Sequence, residues 1–204
     1  MSFLSKITAK PWEHAGEMEG LHGAFENGYP ANRTGLLLFL AVISSMFLLF
    51  MISYYTRSQF PDWEVLADPR ILWVNTVLLV LASVALQVAS HAAKQNKTSS
   101  MRYSLIAGGV LTLAFIAGQF IAWDQMVTAG YYARNNPAYA FFYLFTGLHA
   151  LHLLGGMWFL ASLGFKVNQT GKREKVLQSV TLCATYWHYL LIVWLALFTL
   201  LLRT

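Results

Sequence analysis

The sequence predicts an all-α, polytopic membrane protein whose fold is a bundle of five transmembrane helices. Hydrophobic residues make up 57% of the 204 positions and charged residues only 11%, whereas about 25% charged residues are usual in a soluble domain. A helix needs about 20 predominantly apolar residues to cross the hydrocarbon core of a bilayer. Five segments reach this length without an Asp, Glu, Lys or Arg: residues 36–55, 71–93, 103–123, 138–165 and 176–202.

Helix-breaking, charged or polar residues separate these segments in chain order. Pro30 and Asn32 precede the first segment, and the loop to the second carries Pro61 and Pro69. Proline cannot continue a helix without losing a backbone hydrogen bond. The remaining loops are polar or basic and cover residues 94–102, 124–137 and 166–175. Transmembrane strands would be about ten residues long and would alternate in polarity, so the segments are predicted to be helices.

The chain is expected to consist of an amino-terminal cytoplasmic tail, residues 1–35, and a transmembrane bundle, residues 36–204. The tail carries Glu13, His14, Glu17 and His22 and lacks the apolar centre of a secretory signal peptide. Cys183 is the only cysteine, so neither a disulfide nor a multi-cysteine metal site is expected.

The distribution of basic residues predicts the orientation of the bundle. Cytoplasmic loops of membrane proteins carry an excess of Lys and Arg. Ten of the 14 basic residues lie in the tail and in the loops after the second and fourth segments, and the other four are Arg57, Arg70, Arg134 and Arg203. The amino terminus is therefore predicted to be cytoplasmic and the carboxyl terminus to lie outside. This asymmetry accounts for the net charge of +5, and no nucleic-acid partner is expected.

Polar and small residues form one stripe along each of the last four segments at helical spacing. Polar groups at bilayer depth usually face the protein interior, where they hydrogen-bond between helices. The stripes are therefore predicted to be helix–helix contacts, and Gly147, Gly155 and Gly156 favour tight packing. The members are Thr76, Ser83, Gln87, Ser90 and His91; Gly108, Thr112, Phe115, Gln119 and Ala122; Thr146, His149, His152 and Gly156; and Thr181, Thr185, His188 and Ile192.

A haem or metal site is an alternative interpretation of the histidines. At 1.5 Å per residue, His149 and His188 lie roughly 17 and 18 Å into antiparallel helices, so both could bind one iron, or with His152 a single metal. The nearest acid is Asp124, at the edge of the third segment, whereas a non-haem site usually includes a carboxylate. The favoured interpretation is that His149, His152 and His188 are neutral and hydrogen-bonded.

Other reaction centres have no sequence support. The chain contains no nucleophile elbow, phosphate-binding loop, dinucleotide fingerprint or zinc-protease motif. No pair of buried carboxylates is available for acid–base chemistry. A membrane bundle without its own catalytic centre is typical of a subunit in a larger complex.

Two histidine motifs resemble those of subunit III of haem–copper terminal oxidases. The run from Phe145, FTGLHALHLLGG, is similar to the TGxHxxHxxxG signature, and YWHY from Tyr186 followed by VW from Val193 is similar to the YWHF…VW element. The resemblance extends from about Arg33 to Leu202, and the chain looks like the five-span form. The matching positions are Asn75, Thr76, Gln119, Trp123, Thr146, Gly147, His149, His152, Gly156, Tyr186, Trp187, His188 and Trp194.

The resemblance implies an accessory subunit, without catalytic or metal-binding residues, in the cytoplasmic membrane of a bacterium. Its expected partners are oxidase subunit I, which would carry the haems and copper that reduce oxygen and pump protons, subunit II and other subunits, and membrane lipids. A phospholipid bound between helices is also implied. A related accessory protein of a nitric oxide reductase is the alternative, beside a haem-binding electron carrier.

Two acids that are usual in this family are missing here. The family's buried glutamate in the first segment corresponds to Ile43–Ser44, and the aspartate after the YWHF element corresponds to Leu191. If those acids carry protons in the family, this chain lacks that function. The resemblance therefore implies the scaffold, lipid-binding and assembly roles.

Overall fold

A computed structural model describes residues 31–64, 70–169 and 173–202, which form five long α-helices and no strand. Side-chain burial is described from Arg33, with gaps at 65–69 and 165–175. The helices, in chain order, are α1, Ala31–Arg57; α2, Ile71–Lys94; α3, Thr98–Thr128; α4, Pro137–Gln169; and α5, Arg173–Leu202.

All five helices are long and apolar enough to cross a membrane, which confirms the predicted fold class. Each predicted segment lies within one helix, and all five helices extend further. For example, α3 begins at Thr98 rather than 103 and ends at Thr128 rather than 123. The uncharged run ends before Arg102 and Asp124, but the helix continues through both residues, and helix ends are the least certain part of a sequence-based prediction. Most of the predicted tail lies outside the described residues.

The chain divides into two compact units after Ala41. Within the second unit, α2 contacts α3 and α5, and α4 also contacts α3 and α5. These four helices therefore form a closed ring around a common core, in which Phe115, Trp187 and Trp194 are almost completely buried. The carboxyl-terminal half of α1 joins this ring through aromatic contacts, such as Phe47 against His152.

Both α2 and α3 end in the same hydrogen-bonded turn. Asn96 after α2 and Gly130 after α3 have φ values of 63° and 86°, in the left-handed region that ends many helices. The amide of Lys97 donates to the carbonyl of Ala92, and that of Tyr131 to Met126, at 3.0 and 2.9 Å. The turn after α2 leaves only residues 95–97 between α2 and α3, so these helices are antiparallel neighbours.

Candidate functional site

His188 on α5 uses both ring nitrogens in hydrogen bonds to α2. Its Nε2 lies 2.9 Å from Oε1 of Gln87, and its Nδ1 lies 2.5 Å from Oγ of Ser83. Since an amide oxygen only accepts, a neutral imidazole donates from Nε2 and accepts the Ser83 hydroxyl proton at Nδ1. His188 therefore has no ring nitrogen left for a metal.

Three tryptophans connect neighbouring helices by one repeated arrangement, which we call the indole–hydroxyl links. Each indole Nε1 donates to a threonine Oγ1 on another helix, at 2.9 to 3.0 Å, and each threonine donates to the carbonyl four residues earlier on its own helix. The pairs are Trp194–Thr76 between α5 and α2, Trp187–Thr112 between α5 and α3, and Trp123–Thr146 between α3 and α4. All six polar groups are thereby paired inside the bundle.

Replacing Thr112 with valine should destabilise the bundle, because the isosteric side chain removes the acceptor of the fully buried Trp187 indole. Leaving a buried donor unpaired costs about 1–3 kcal/mol. Thr185→Val is the matched control, since Thr185 is exposed and bonds only to its own helix. Denaturant titration of the detergent-solubilised chain measures both. Equal effects of the two variants would contradict a role for the Trp187–Thr112 link.

α4 and α5 approach each other closely at Gly156. A Cβ atom there would lie 2.7 Å from Cε1 of Tyr186 and 3.0 Å from Cη2 of Trp187. Tyr186 is held in place because its hydroxyl donates to the carbonyl of His152 at 3.0 Å. By contrast, a Cβ at Gly147 would make ordinary contact with Trp123, and one at Gly155 would meet nothing within 4 Å. Of these three glycines, only Gly156 is required by close packing.

The histidines of α4 lie in two different environments. His152 is half-buried, and its Nδ1 is 2.7 Å from the carbonyl of Leu148. His149 is fully buried between Phe115 and Trp194, with ring centroids 5.8 and 5.1 Å apart, and neither ring nitrogen has a hydrogen-bond partner in the protein. Within the protein, the prediction of hydrogen-bonded histidines is confirmed for His152 and His188 and is wrong for His149, whose neighbours are aromatic rings.

Asn75 and Gln119 form a buried amide pair between α2 and α3. Nδ2 of Asn75 lies 3.5 Å from Oε1 of Gln119, while Oδ1 of Asn75 and Nε2 of Gln119 have no partner in the protein. The two helices meet closely here, since a Cβ at Gly118 would lie 2.1 Å from Oδ1 of Asn75. Sequence reasoning identified the amides but did not identify Gly118, because helical spacing alone does not show which partner residue faces a glycine.

At the end of α1, polar contacts tie the following loop to α4. Arg57 forms a bidentate ion pair with Asp62, which lowers the pKa of the Asp62 carboxyl below its ordinary value through the hydrogen bond from the guanidinium. The Tyr139 hydroxyl donates to Glu64, and the Asn136 amide donates to the backbone carbonyl of Asp62. The loop is thereby fixed over the start of α4.

The residues matched to the oxidase motifs thus line contacts between α2, α3, α4 and α5 rather than one open pocket. In residues 31–64, 70–169 and 173–202, no three His, Cys, Asp or Glu side chains are placed to hold one metal ion. The arrangement supplies hydrogen bonds and close packing inside the bundle.

Comparison with known proteins identifies one family. The sequence matches the family described as cytochrome c oxidase subunit III over residues 12–202. Cytochrome c oxidase subunit 3 of Synechocystis sp. is 27% identical over 192 residues, covering 91% of this chain and 79% of that protein. The subunit of Thermostichus vulcanus is 25% identical over 82% of this chain and 84% of its own length. That of Triticum aestivum is 28% identical over 81% of this chain and 66% of its own.

Proposed function

The chain belongs to the cytochrome c oxidase subunit III family, and we propose that it serves its oxidase as a non-catalytic subunit that stabilises subunit I. As an accessory subunit III with five membrane-spanning helices, it is a multi-pass membrane protein. The observation that supports a structural role is that the motif side chains are engaged in contacts between helices: His188 with Ser83 and Gln87, and Trp187 with Thr112.

In this proposal, the haems and copper belong to subunit I, and the chain contacts subunit I directly and other subunits of the complex. The amino terminus faces the cytoplasm, since the excess of basic residues lies in the tail and in the loops on its side. The membrane is the cytoplasmic membrane of a bacterium. The chain binds phospholipid along apolar side chains that the bundle leaves exposed, among them Leu48, Leu49 and Ile52 of α1.

Proton uptake is not part of the proposed role. The position that corresponds to the family's buried glutamate holds Ile43 and Ser44, and the hydroxyl of Ser44 shares a hydrogen bond of 2.9 Å with that of Tyr189 on α5. Leu191 occupies the position of the family's aspartate. The side chains of Ile43, Ser44 and Leu191 carry no group that ionises near physiological pH.

A tagged full-length chain, extracted in mild detergent, is expected to bring down a haem–copper polypeptide in a fixed ratio. His188→Ala should leave the haem absorbance of that complex unchanged, because both ring nitrogens bond to α2. His91→Ala is the matched control, since His91 is exposed and bonds only to Gln95 on its own helix. The reduced-minus-oxidised spectrum measures the haem.

The result that would contradict this proposal is a haem spectrum from the isolated chain that His188→Ala abolishes. That outcome would identify a haem-binding electron carrier. Co-purification with a nitric oxide reductase instead of an oxygen-reducing enzyme would keep the accessory role but change the complex.

A further inference from the structure

Four polar atoms in the core of the ring have no hydrogen-bond partner in the protein. They are Oδ1 of Asn75, Nε2 of Gln119 and both ring nitrogens of His149. All three residues are at most 1% exposed, and all belong to helices that are long and apolar enough to cross a membrane. Buried polar side-chain atoms are nearly always paired with protein or with ordered water. We therefore expect these four atoms to have a hydrogen-bond partner outside the protein.

The geometry places Gln119 and His149 at the same level of the bundle. Antiparallel α3 and α4 are joined by the Trp123–Thr146 link. Gln119 lies one turn before Trp123 on α3, and His149 lies one turn after Thr146 on α4. Because the two helices run in opposite directions, both residues lie on the same side of the link. The His149 ring also packs on Phe115, which lies one turn from Gln119 on the same face of α3.

Asn75 belongs to the same level. Its amide nitrogen lies 3.5 Å from Oε1 of Gln119. Its neighbour Thr76 accepts the indole hydrogen of Trp194, and the Trp194 ring packs against His149 at 5.1 Å between centroids. These contacts place the side chains of Asn75, Gln119 and His149 in one layer across α2, α3 and α4, which we call the mid-bundle polar layer.

The chemistry of the layer selects its ligand. Asn75 Oδ1 accepts a hydrogen bond, Gln119 Nε2 donates, and a neutral imidazole offers one donor and one acceptor. If the oxygen and nitrogen positions of both amides are exchanged, the two unpaired amide atoms are still one donor and one acceptor. A cation would satisfy only the acceptors and an anion only the donors. Water both donates and accepts, and buried waters typically have two to four polar partners.

We infer that the mid-bundle polar layer is a binding site for ordered water, held between Asn75, Gln119 and His149 inside the membrane-spanning bundle. The water connects the amide pair of α2 and α3 to the imidazole of α4. The rings of Phe115 and Trp194 pack against the His149 ring of the layer.

Solid-state NMR of the full chain in lipid bilayers, with ¹⁵N in histidine and in the side-chain amides, tests this site. Magnetisation transfer from water protons is expected at the His149 ring nitrogens and the Gln119 amide. The exposed His91 is the positive control and should show transfer. Transfer at the exposed His91 together with none at His149 or Gln119 would overturn the proposal.

His149→Phe keeps the ring and its packing on Phe115 and Trp194 but removes both nitrogens. The transfer to Gln119 should weaken or disappear, since the water loses a partner. His152→Phe is the matched control, because the His152 ring bonds the carbonyl of its own helix, and it should leave the Gln119 signal unchanged. An unchanged Gln119 signal in His149→Phe would contradict a shared site. If His149→Phe does not fold, the measurement on the unaltered chain decides.

Discussion

Replacing Gly118 with alanine is expected to destabilise the chain more than alanine at any other glycine that the structure describes. The new Cβ would lie 2.1 Å from Oδ1 and 3.0 Å from Cγ of Asn75. Asn75 is fully buried and pairs with Gln119, so it cannot move aside without opening the contact between α2 and α3. We expect the upper end of the overpacking range, about 3 kcal/mol, in denaturant titration of the solubilised chain.

Gly109→Ala on the same helix is the matched control. Its Cβ would meet a flexible methyl group of Leu160 at 3.4 Å, so the expected change in the free energy of unfolding is small. Asn75→Ala in the Gly118→Ala background removes the clashing amide, and the double variant should be more stable than Gly118→Ala alone. A double variant that is less stable than both single variants would show that the close approach is not the cause.

Replacing Gly156 with leucine is expected to separate α4 from α5. A side chain there meets the rings of Tyr186 and Trp187 within 2.7 to 3.1 Å of its Cβ. Neither ring can retreat freely, because Tyr186 bonds His152 and Trp187 bonds Thr112. Small residues at helix contacts allow the backbones to approach in membranes. We expect a loss of more than about 3 kcal/mol, measured as a fall in the thermal midpoint of the solubilised chain.

Gly155→Leu tests whether position rather than side-chain size causes this loss. Gly155 is adjacent in sequence, is exposed, and its Cβ would meet nothing within 4 Å. The thermal midpoint should therefore remain close to that of the unaltered chain. Equal losses at Gly155 and Gly156 would mean that any large residue in this part of α4 is harmful and that the contact with α5 is not special.

The number and position of the helices could be predicted because an uncharged run of about 20 residues, in a chain of this composition, has few alternative structures to a membrane-spanning helix. Which side chains of each helix contact another helix was predicted less well. Thr181 and His188 of the α5 stripe contact α2, but Thr185 and Ile192 are exposed. Periodicity identifies a polar face, and in a bilayer it does not distinguish a residue that bonds a neighbour from one that bonds its own backbone.

The candidate site depended even more on pairing between helices. The sequence presents Trp187, Trp194 and Thr112 as single residues on three helical faces, and the indole–hydroxyl links exist only once those helices are neighbours. For the same reason, His149 was expected to be hydrogen-bonded within the protein, whereas its neighbours are the rings of Phe115 and Trp194. A single sequence carries no direct signal for such contacts.

The three-residue connection between α2 and α3 has a consequence for how the chain is made. These two helices have the most extensive mutual contact in the ring, and the short turn at Asn96 brings them together at little cost in loop closure. They can therefore enter the bilayer during synthesis as one hairpin. By contrast, α5 is synthesised after the other four helices, so His188 and Trp194 dock on α2 only later. We expect biogenesis to proceed from this early hairpin to a later closure of the ring by α5.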